Sequence, residues 1–485
     1  MTRTPKNLLI IMSDEHNPKM LGCAGHPIVE TPNLDRLAAR GTRFRSAYCT
    51  SPVCIPARAS FAVGKYIHQM GYADNADAYD GVVPSWHHKL RERGHRVVSI
   101  GKLHFREEGE DHGFSDEVIP MHIIEGKGDL MGLVRSDLPV RKGAYKMANL
   151  AGPGESQYTF YDREITARAQ VWLREAAARH DDKPWVLFVS FVAPHFPLTA
   201  PPEHFYKYYD RDLPLPKLYA RHERPDHPYL VDYRSSFNYD DYFDAAKLKK
   251  ALAGYYGLCS FLDENIGKVL QALSDAGLAD DTRVLYTSDH GDNLGTRGMW
   301  GKSTMFEEAA GVPLIMAGPD IPAGKVIDTP ASHVDAYPFI LEAVGVDEPA
   351  LRDGFPGVSL NDLAGGEKPS RNVLVEYHGM GSATGAFMIR HKQYKYIYYV
   401  DYPPQLFDLA ADPEEIRDLA PEPTSAAVLN ECHQRLLAIC DPVAVDNKVR
   451  QRQAELLEAN GGRDLVIQRG DLGFSPPPGA AIVFD

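Results

Sequence analysis

An α/β fold is predicted, with a large mixed, mostly parallel sheet sandwiched by helices. Two observations predict it. Apolar-rich runs at residues 7–13, 95–100, 185–192, 283–287 and 312–317 read as strands covered on both faces, and helical stretches with one apolar face lie between them. A third observation bears on function: Asp, Lys and His residues follow these runs directly, where open α/β sheets bind ligands.

Length and composition support a folded, globular chain. With 485 residues, 44% hydrophobic and 24% charged, the chain can bury a large core and is expected to form one large domain and a smaller one. The balance of 52 basic against 66 acidic residues, a net charge of −14, argues against a nucleic-acid partner and leaves any anion site to be made locally. Six cysteines without metal-finger spacing predict reduced thiols. The amino-terminal residues enter the first apolar run directly, and no later run is long enough to span a bilayer, so a cytoplasmic protein with no membrane partner is expected.

Taken in order, the run at 7–13 delivers Asp14 and Glu15 at a strand's carboxyl end, and Asp14 is a metal-ligand candidate. Residues 31–41 predict a helix with Thr31 as cap, Pro32 in the first turn and Gly41 as the stop. In residues 51–64, Cys54 precedes a second helix start. Pro56 suits the first turn, Arg58 supplies a permanent cation, and the free N–H groups favour an anion there. Cys54 is the candidate nucleophile, its plainer alternative being a buried, inert thiol. Residues 71–77 read as a loop in which Asn75 can donate to an ester oxygen.

The strand at 95–100 ends in Gly101-Lys102-Leu103-His104. Residues 108–158 read as an irregular excursion over the site, and residues 200–244 as a second long loop; substrate preference is expected there. Between them a helix at 162–180 and a strand at 185–192 lead to His195. Residues 248–273 carry apolar side chains at helical spacing, with Cys259 in the core. The next strand delivers Ser288-Asp289-His290-Gly291, which offers oxygen and nitrogen to a divalent ion, and Lys302 follows. Residues 333–335 begin another helix. Beyond 365 the chain turns to aromatic-rich strands at 371–377 and 394–400, and the Pro-rich end at 475–479 reads as outside any core.

Cys54-Ile-Pro-Ala-Arg58, with the segments around Asp14, Thr31, Gly101, Ser288, Lys302 and residues 405–420, resembles the type I, formylglycine-dependent sulfatases and phosphonate monoester hydrolases of the alkaline phosphatase superfamily. The resemblance covers residues 7–420 and implies an alkaline-phosphatase-like sheet with a small C-terminal antiparallel sheet. A catalytic domain is expected at 1–365 and a subdomain at 366–440, with a tail at 441–485 that is hypothesised to pack on another subunit of a homo-oligomer, a dimer or tetramer. It further implies that a maturation enzyme oxidises Cys54 to formylglycine. Asp14, Asp289, His290 and residue 54 would hold one divalent metal, Ca2+ or Mn2+, with Glu15 as a further ligand. Arg58 would steady the hydrated aldehyde. Asn75, Lys102, His195 and Lys302 would bind the small anionic ester, His104 would act as base, and His195 would donate to the leaving oxygen. Glu15, Ala57, Phe61 and Val63 depart from residues common in the family. The implied reaction is hydrolysis of aryl or small alkyl sulfate monoesters. The alternatives are phosphonate monoesters or phosphodiesters, a choline-sulfatase-like specificity requiring an aromatic or acidic cage, and a non-catalytic anion-binding homologue.

Overall fold

Leu8 to Met12 have no polar face, as a strand covered on both sides requires, and all five are fully buried in β1 (Asn7–Asp14). The computed structural model describes residues 4–179, 181–346, 348–366, 371–471 and 474–480. Around β1 lie β2 (Gly41–Phe44), β3 (Val97–Lys102), β4 (Asp116–Met121), β5 (Val186–Pro194), β6 (Thr282–Ser288), β7 (Leu314–Ala317) and β8 (Lys325–Ile327). Their order is β8-β2-β7-β6-β1-β5-β3-β4, and of the eight β7 alone runs against the rest. Chain order reverses at β1, between β5 and β6. The loops leaving β1 and its neighbours therefore converge at one edge, the ligand-binding crevice of open α/β sheets.

Helices cover both faces. On one, α2 (Cys54–Val63) sets Phe61 against Phe188 of β5, ring centroids 6.2 Å apart, and α5 (Ala336–Ala343) packs on α2 and β1. On the other, α3 (Gln157–Ala178) packs on β5 and on α4 (Ala245–Asp275), which carries α1 (Pro32–Ala39). Cys259 is fully buried in α4, as predicted. His180, the predicted end of the helix at 162–180, lies outside the described residues. No helix of the described residues is long and apolar enough to cross a membrane.

A second core forms where β9 (Asn372–Tyr377), β10 (Ala386–His391), β11 (Tyr394–Tyr399) and β12 (Gln405–Asp408) make an antiparallel meander. Leu374, Phe387 and Ile389 pack there against Cys432 and Leu436 of α6 (Ala426–Leu437). The expected small antiparallel sheet is therefore present.

Four readings change. Gly41 does not stop α1, whose cap is Arg40; it opens β2, and a Cβ on it would lie 2.2 Å from the Met316 carbonyl oxygen, so close strand approach explains the glycine. Residues 116–121, inside the predicted excursion, form the edge strand β4. Residues 202–209 and 228–237, inside the predicted second loop, are helices that start at prolines. The tail contains α7 (Pro442–Ala459) and α8 (Gly462–Arg469), whose polar faces hid their helical period; its residues 472–473 and 481–485 lie outside the described ones.

Candidate active site

α2 starts at Cys54 because Val53 is still extended and the Asn75 side-chain oxygen accepts the Ile55 N–H at 3.3 Å. Every residue of α2 is buried, so its free N–H groups open onto protein rather than bulk water. That leaves the amide nitrogen of Asn75 as its donor to a ligand. The Cys54 sulfur stands 2.9 Å from Lys302 Nζ, 3.2 Å from His290 Nε2 and 3.7 Å from Asp14 Oδ1. Burial, reinforced by Asp14, pushes its thiol up to about 11 despite Lys302.

Arg58, one turn along α2, holds the converging strand ends together. Its Nε donates to Asp289 Oδ2 at 2.7 Å and its Nη2 to Asp14 Oδ2 at 3.3 Å. Its Nη1 donates to the Lys102 carbonyl at 2.9 Å and to Ser190 Oγ at 2.8 Å. One guanidinium thus touches β1, β3, β5 and the end of β6, which its planar fork allows and a lysine could not. Lys102, fully buried at the end of β3, pairs with the same Asp14 Oδ2. Burial alone would raise the Asp14 carboxyl, but Lys102, His195 and Arg58 hold it well below the usual range.

The arrangement fits a divalent cation. Ligand atoms of Asp14, Cys54, Asp289 and His290, all buried, lie within 4.8 Å of one another. Arg58 and Lys102 take the outer carboxylate oxygens, which orients the Oδ1 atoms of Asp14 and Asp289, 3.8 and 3.7 Å from His290 Nε2. The His290 Nδ1–H is directed at the Gly291 carbonyl, 2.9 Å away, leaving the Nε2 lone pair toward the sulfur and carboxylates. Two carboxylates and an oriented imidazole form an oxygen and nitrogen donor set for a hard or borderline ion.

Glu15 is not one of those four but falls, with Asp14 and His195, in a second group whose ligand atoms lie within 4.8 Å of one another. Its backbone is left-handed, φ 67°, held by Tyr255 Oη donating to its carbonyl at 2.6 Å and by its own N–H donating to Asp289 Oδ1 at 3.1 Å. Its carboxylate faces His195 Nε2 at 3.4 Å and Lys302 Nζ at 3.8 Å. Burial raises the Glu15 carboxyl well above its ordinary value, with Lys302 opposing. His195 gives its Nδ1–H to the Phe196 carbonyl at 2.6 Å, so its Nε2 accepts from Lys302 Nζ at 3.0 Å. Burial and Lys302 together keep this ring neutral. Burial opposes the Lys302 charge, but Cys54, Glu15 and Asp14 outweigh it and keep the ammonium protonated. His104, buried beyond β3, has two ring nitrogens without hydrogen-bond partners and lines the same cavity, and burial with Lys102 holds it neutral.

The cavity, about 90 Å³, was only partly legible in the sequence. The predicted loop regions supply Asp129, Arg141, Tyr233, Phe237 and Tyr239, and the tail adds Asp471 and Phe474. Arg141 bonds Asp129 at 2.6 Å and Asp471 at 2.9 Å, so two carboxylates face one guanidinium beside aromatic rings. Burial raises the Asp129 carboxyl, with Arg141 opposing and Asp471 reinforcing. These residues have no sequence spacing in common, and only the fold collects them.

Comparison with known proteins follows the same lines. Residues 6–346 match the family model described as Sulfatase, and residues 295–441 match one described as N-sulphoglucosamine sulphohydrolase, C-terminal. Choline-sulfatase of Rhizobium meliloti is 33% identical over 94% of this chain and 90% of its own. Arylsulfatase K of Bos taurus is 30% identical over 93% of this chain and 84% of its own. The crystal structure of phosphonate monoester hydrolase of Agrobacterium radiobacter superposes with a TM-score of 0.72 over 92% of this chain and 96% of that one, at 23% identity, a likeness of fold.

Proposed function

Because the chain belongs to the sulfatase family and is a sulfuric ester hydrolase, we propose that it cleaves small sulfate monoesters with a formylglycine made from Cys54 and a divalent cation held by Asp14, Asp289 and His290. The carrying observation is the position of residue 54: its side-chain atom lies within hydrogen-bonding reach of Lys302 and His290, at the mouth of a buried helix N-terminus. The Cys54 sulfur marks where an oxygen of the hydrated aldehyde would stand. The cation, when bound, neutralises ester charge and lowers the pKa of that hydroxyl.

The chain's own groups do the rest. Lys102, Lys302 and Asn75 surround the place for the ester oxygens, and Arg58 keeps the two aspartates aimed. Lys302 is the proton donor nearest the leaving oxygen, and His195 acts through it by accepting from Nζ. His104, with two unpartnered ring nitrogens, is placed to take the proton released when the ester anion is expelled.

The aromatic rings that line the cavity, Tyr233, Phe237, Tyr239 and Phe474, favour an alcohol part bearing a quaternary ammonium, as the name of the choline-sulfatase relative also describes. Steady-state kinetics on choline O-sulfate and on its neutral isostere 3,3-dimethylbutyl sulfate test this reading. The charged ester is expected to have a kcat/KM roughly 10-fold or more higher, the worth of desolvated cation–π contacts. Equal values would remove the cation from the account while leaving the sulfate site intact.

A further inference from the structure

Away from the catalytic cavity, His112, Glu117 and His122 bring three ligand-type atoms within 4.8 Å of one another. Spaced five residues apart, these positions would alternate between the two faces of an unbroken strand. The strand is broken: Val118 pairs with Ile100 and Met121 with Lys102, so β4 holds one residue more than β3 over this stretch, and Ile119 stands at φ 46°. A bulge at a β-branched residue is a costly conformation, and here it turns His122 back toward Glu117.

The imidazoles are incompletely bonded. His112 Nδ1 meets Glu117 Oε1 at 3.0 Å, but its Nε2 has no hydrogen-bond partner although the side chain is fully buried. Neither ring nitrogen of His122 has one, and Glu110 Oε2, 3.7 Å from His112 Nε2, is likewise buried and without a hydrogen bond. Glu117 Oε2 lies 3.6 Å from His122 Nε2. Buried polar atoms are ordinarily satisfied, so several orphans converging on one point call for a shared partner. The His122 and Glu117 side chains keep 10% and 21% of their exposure, which gives that partner a way in.

We infer that His112, Glu117 and His122 bind a second divalent cation of the zinc class, held apart from the Asp14, Asp289 and His290 centre. Two imidazoles and a carboxylate are a zinc donor set, with Glu110 or a water as the fourth ligand. The role is positional. The Met121 carbonyl, one residue before His122, accepts the N–H groups of Leu103 at 3.1 Å and His104 at 2.7 Å, so a cation clamping the end of β4 steadies the segment that pairs Lys102 with Asp14 and presents His104 to the cavity.

The full chain, stripped by a chelator and re-equilibrated with Zn2+, tests the site by elemental analysis. The wild type and Asp289→Ala are expected to retain about one equivalent that His112→Asn and His122→Asn both lose. Co2+ in place of zinc should give tetrahedral absorption bands in the wild type and in Asp289→Ala that vanish in the two histidine variants. Should His112→Asn fail to fold, His122→Asn, at the rim, decides alone. Unchanged metal content and an unchanged Co2+ spectrum in His122→Asn would overturn the site.

Discussion

At Cys54, burial works against the unmodified residue: a thiol held near 11 stays protonated at neutral pH and is a weak nucleophile. The hydrated aldehyde proposed there needs no such ionisation and has a second hydroxyl through which the ester can be expelled. Cys54→Ser keeps one hydroxyl and lacks that exit, so single-turnover trapping or silence is expected in steady-state assays; sustained turnover at the wild-type rate would refute the role of residue 54. Lys302 Nζ lies 2.9 Å from the Cys54 sulfur and is the proton donor proposed for the leaving oxygen. Lys302→Ala is expected to lower kcat by roughly 10²–10³, the usual cost of deleting one transition-state donor, with unchanged kinetics excluding it from the site.

Among elements, β1 and α2 set the geometry, and other elements hold their neighbours in place. Gly41→Ala drives a Cβ against the Met316 carbonyl across the β2–β7 pairing and should destabilise by ~1–3 kcal/mol in urea unfolding. In the C-terminal region, α7 meets His378, the residue after β9, through Asp446, 3.9 Å from His378 Nδ1, while His378 and His68 flank Glu376. Burial raises the Glu376 carboxyl, but His378 and His68 overcome it and bring the group to about 2 from an ordinary 4.5. The folded state therefore binds fewer protons than the unfolded chain in this window. The contribution is complete above pH 4.5 and is lost as pH falls toward 2. Glu376→Gln should accordingly be less stable than the wild type at pH 6, with the gap in urea midpoint narrowing by pH 3; a constant gap would show that the charge is not the cause. The apolar strands were legible because burial on both faces leaves an unbroken hydrophobic run. The edge strand β4, with exposed Asp116 and half-buried neighbours, leaves no such mark. α7 was hidden for a related reason, since charges run through much of its surface, whereas the helix at 228–237 carries only Asp232 and Arg234 as charges and lies in a stretch whose Pro and Tyr content reads as loop.

Over the whole molecule, the residues proposed to carry the chemistry lie at or just past strand ends, so Asp14, Lys102, His195, Asp289 and His290 could be read from sequence. Those lining the cavity beyond the ester could not. Asp129, Tyr233 and Asp471 come from three distant segments, and Arg141 joins two of them only after folding. Deleting residues 470–485 removes Asp471 and Phe474 together, and KM for choline O-sulfate is expected to rise about tenfold or more with kcat little changed; an unchanged KM would separate the tail from the site. The central claim is sulfate monoester cleavage at residue 54. Its most direct measurement is kcat/KM of the matured protein, metal supplied, on a matched aryl sulfate and aryl phosphonate monoester, with Cys54→Ala as the blank. The account requires sulfate ahead by orders of magnitude and no turnover in the blank; phosphonate ahead, or a blank as active as the wild type, would contradict it.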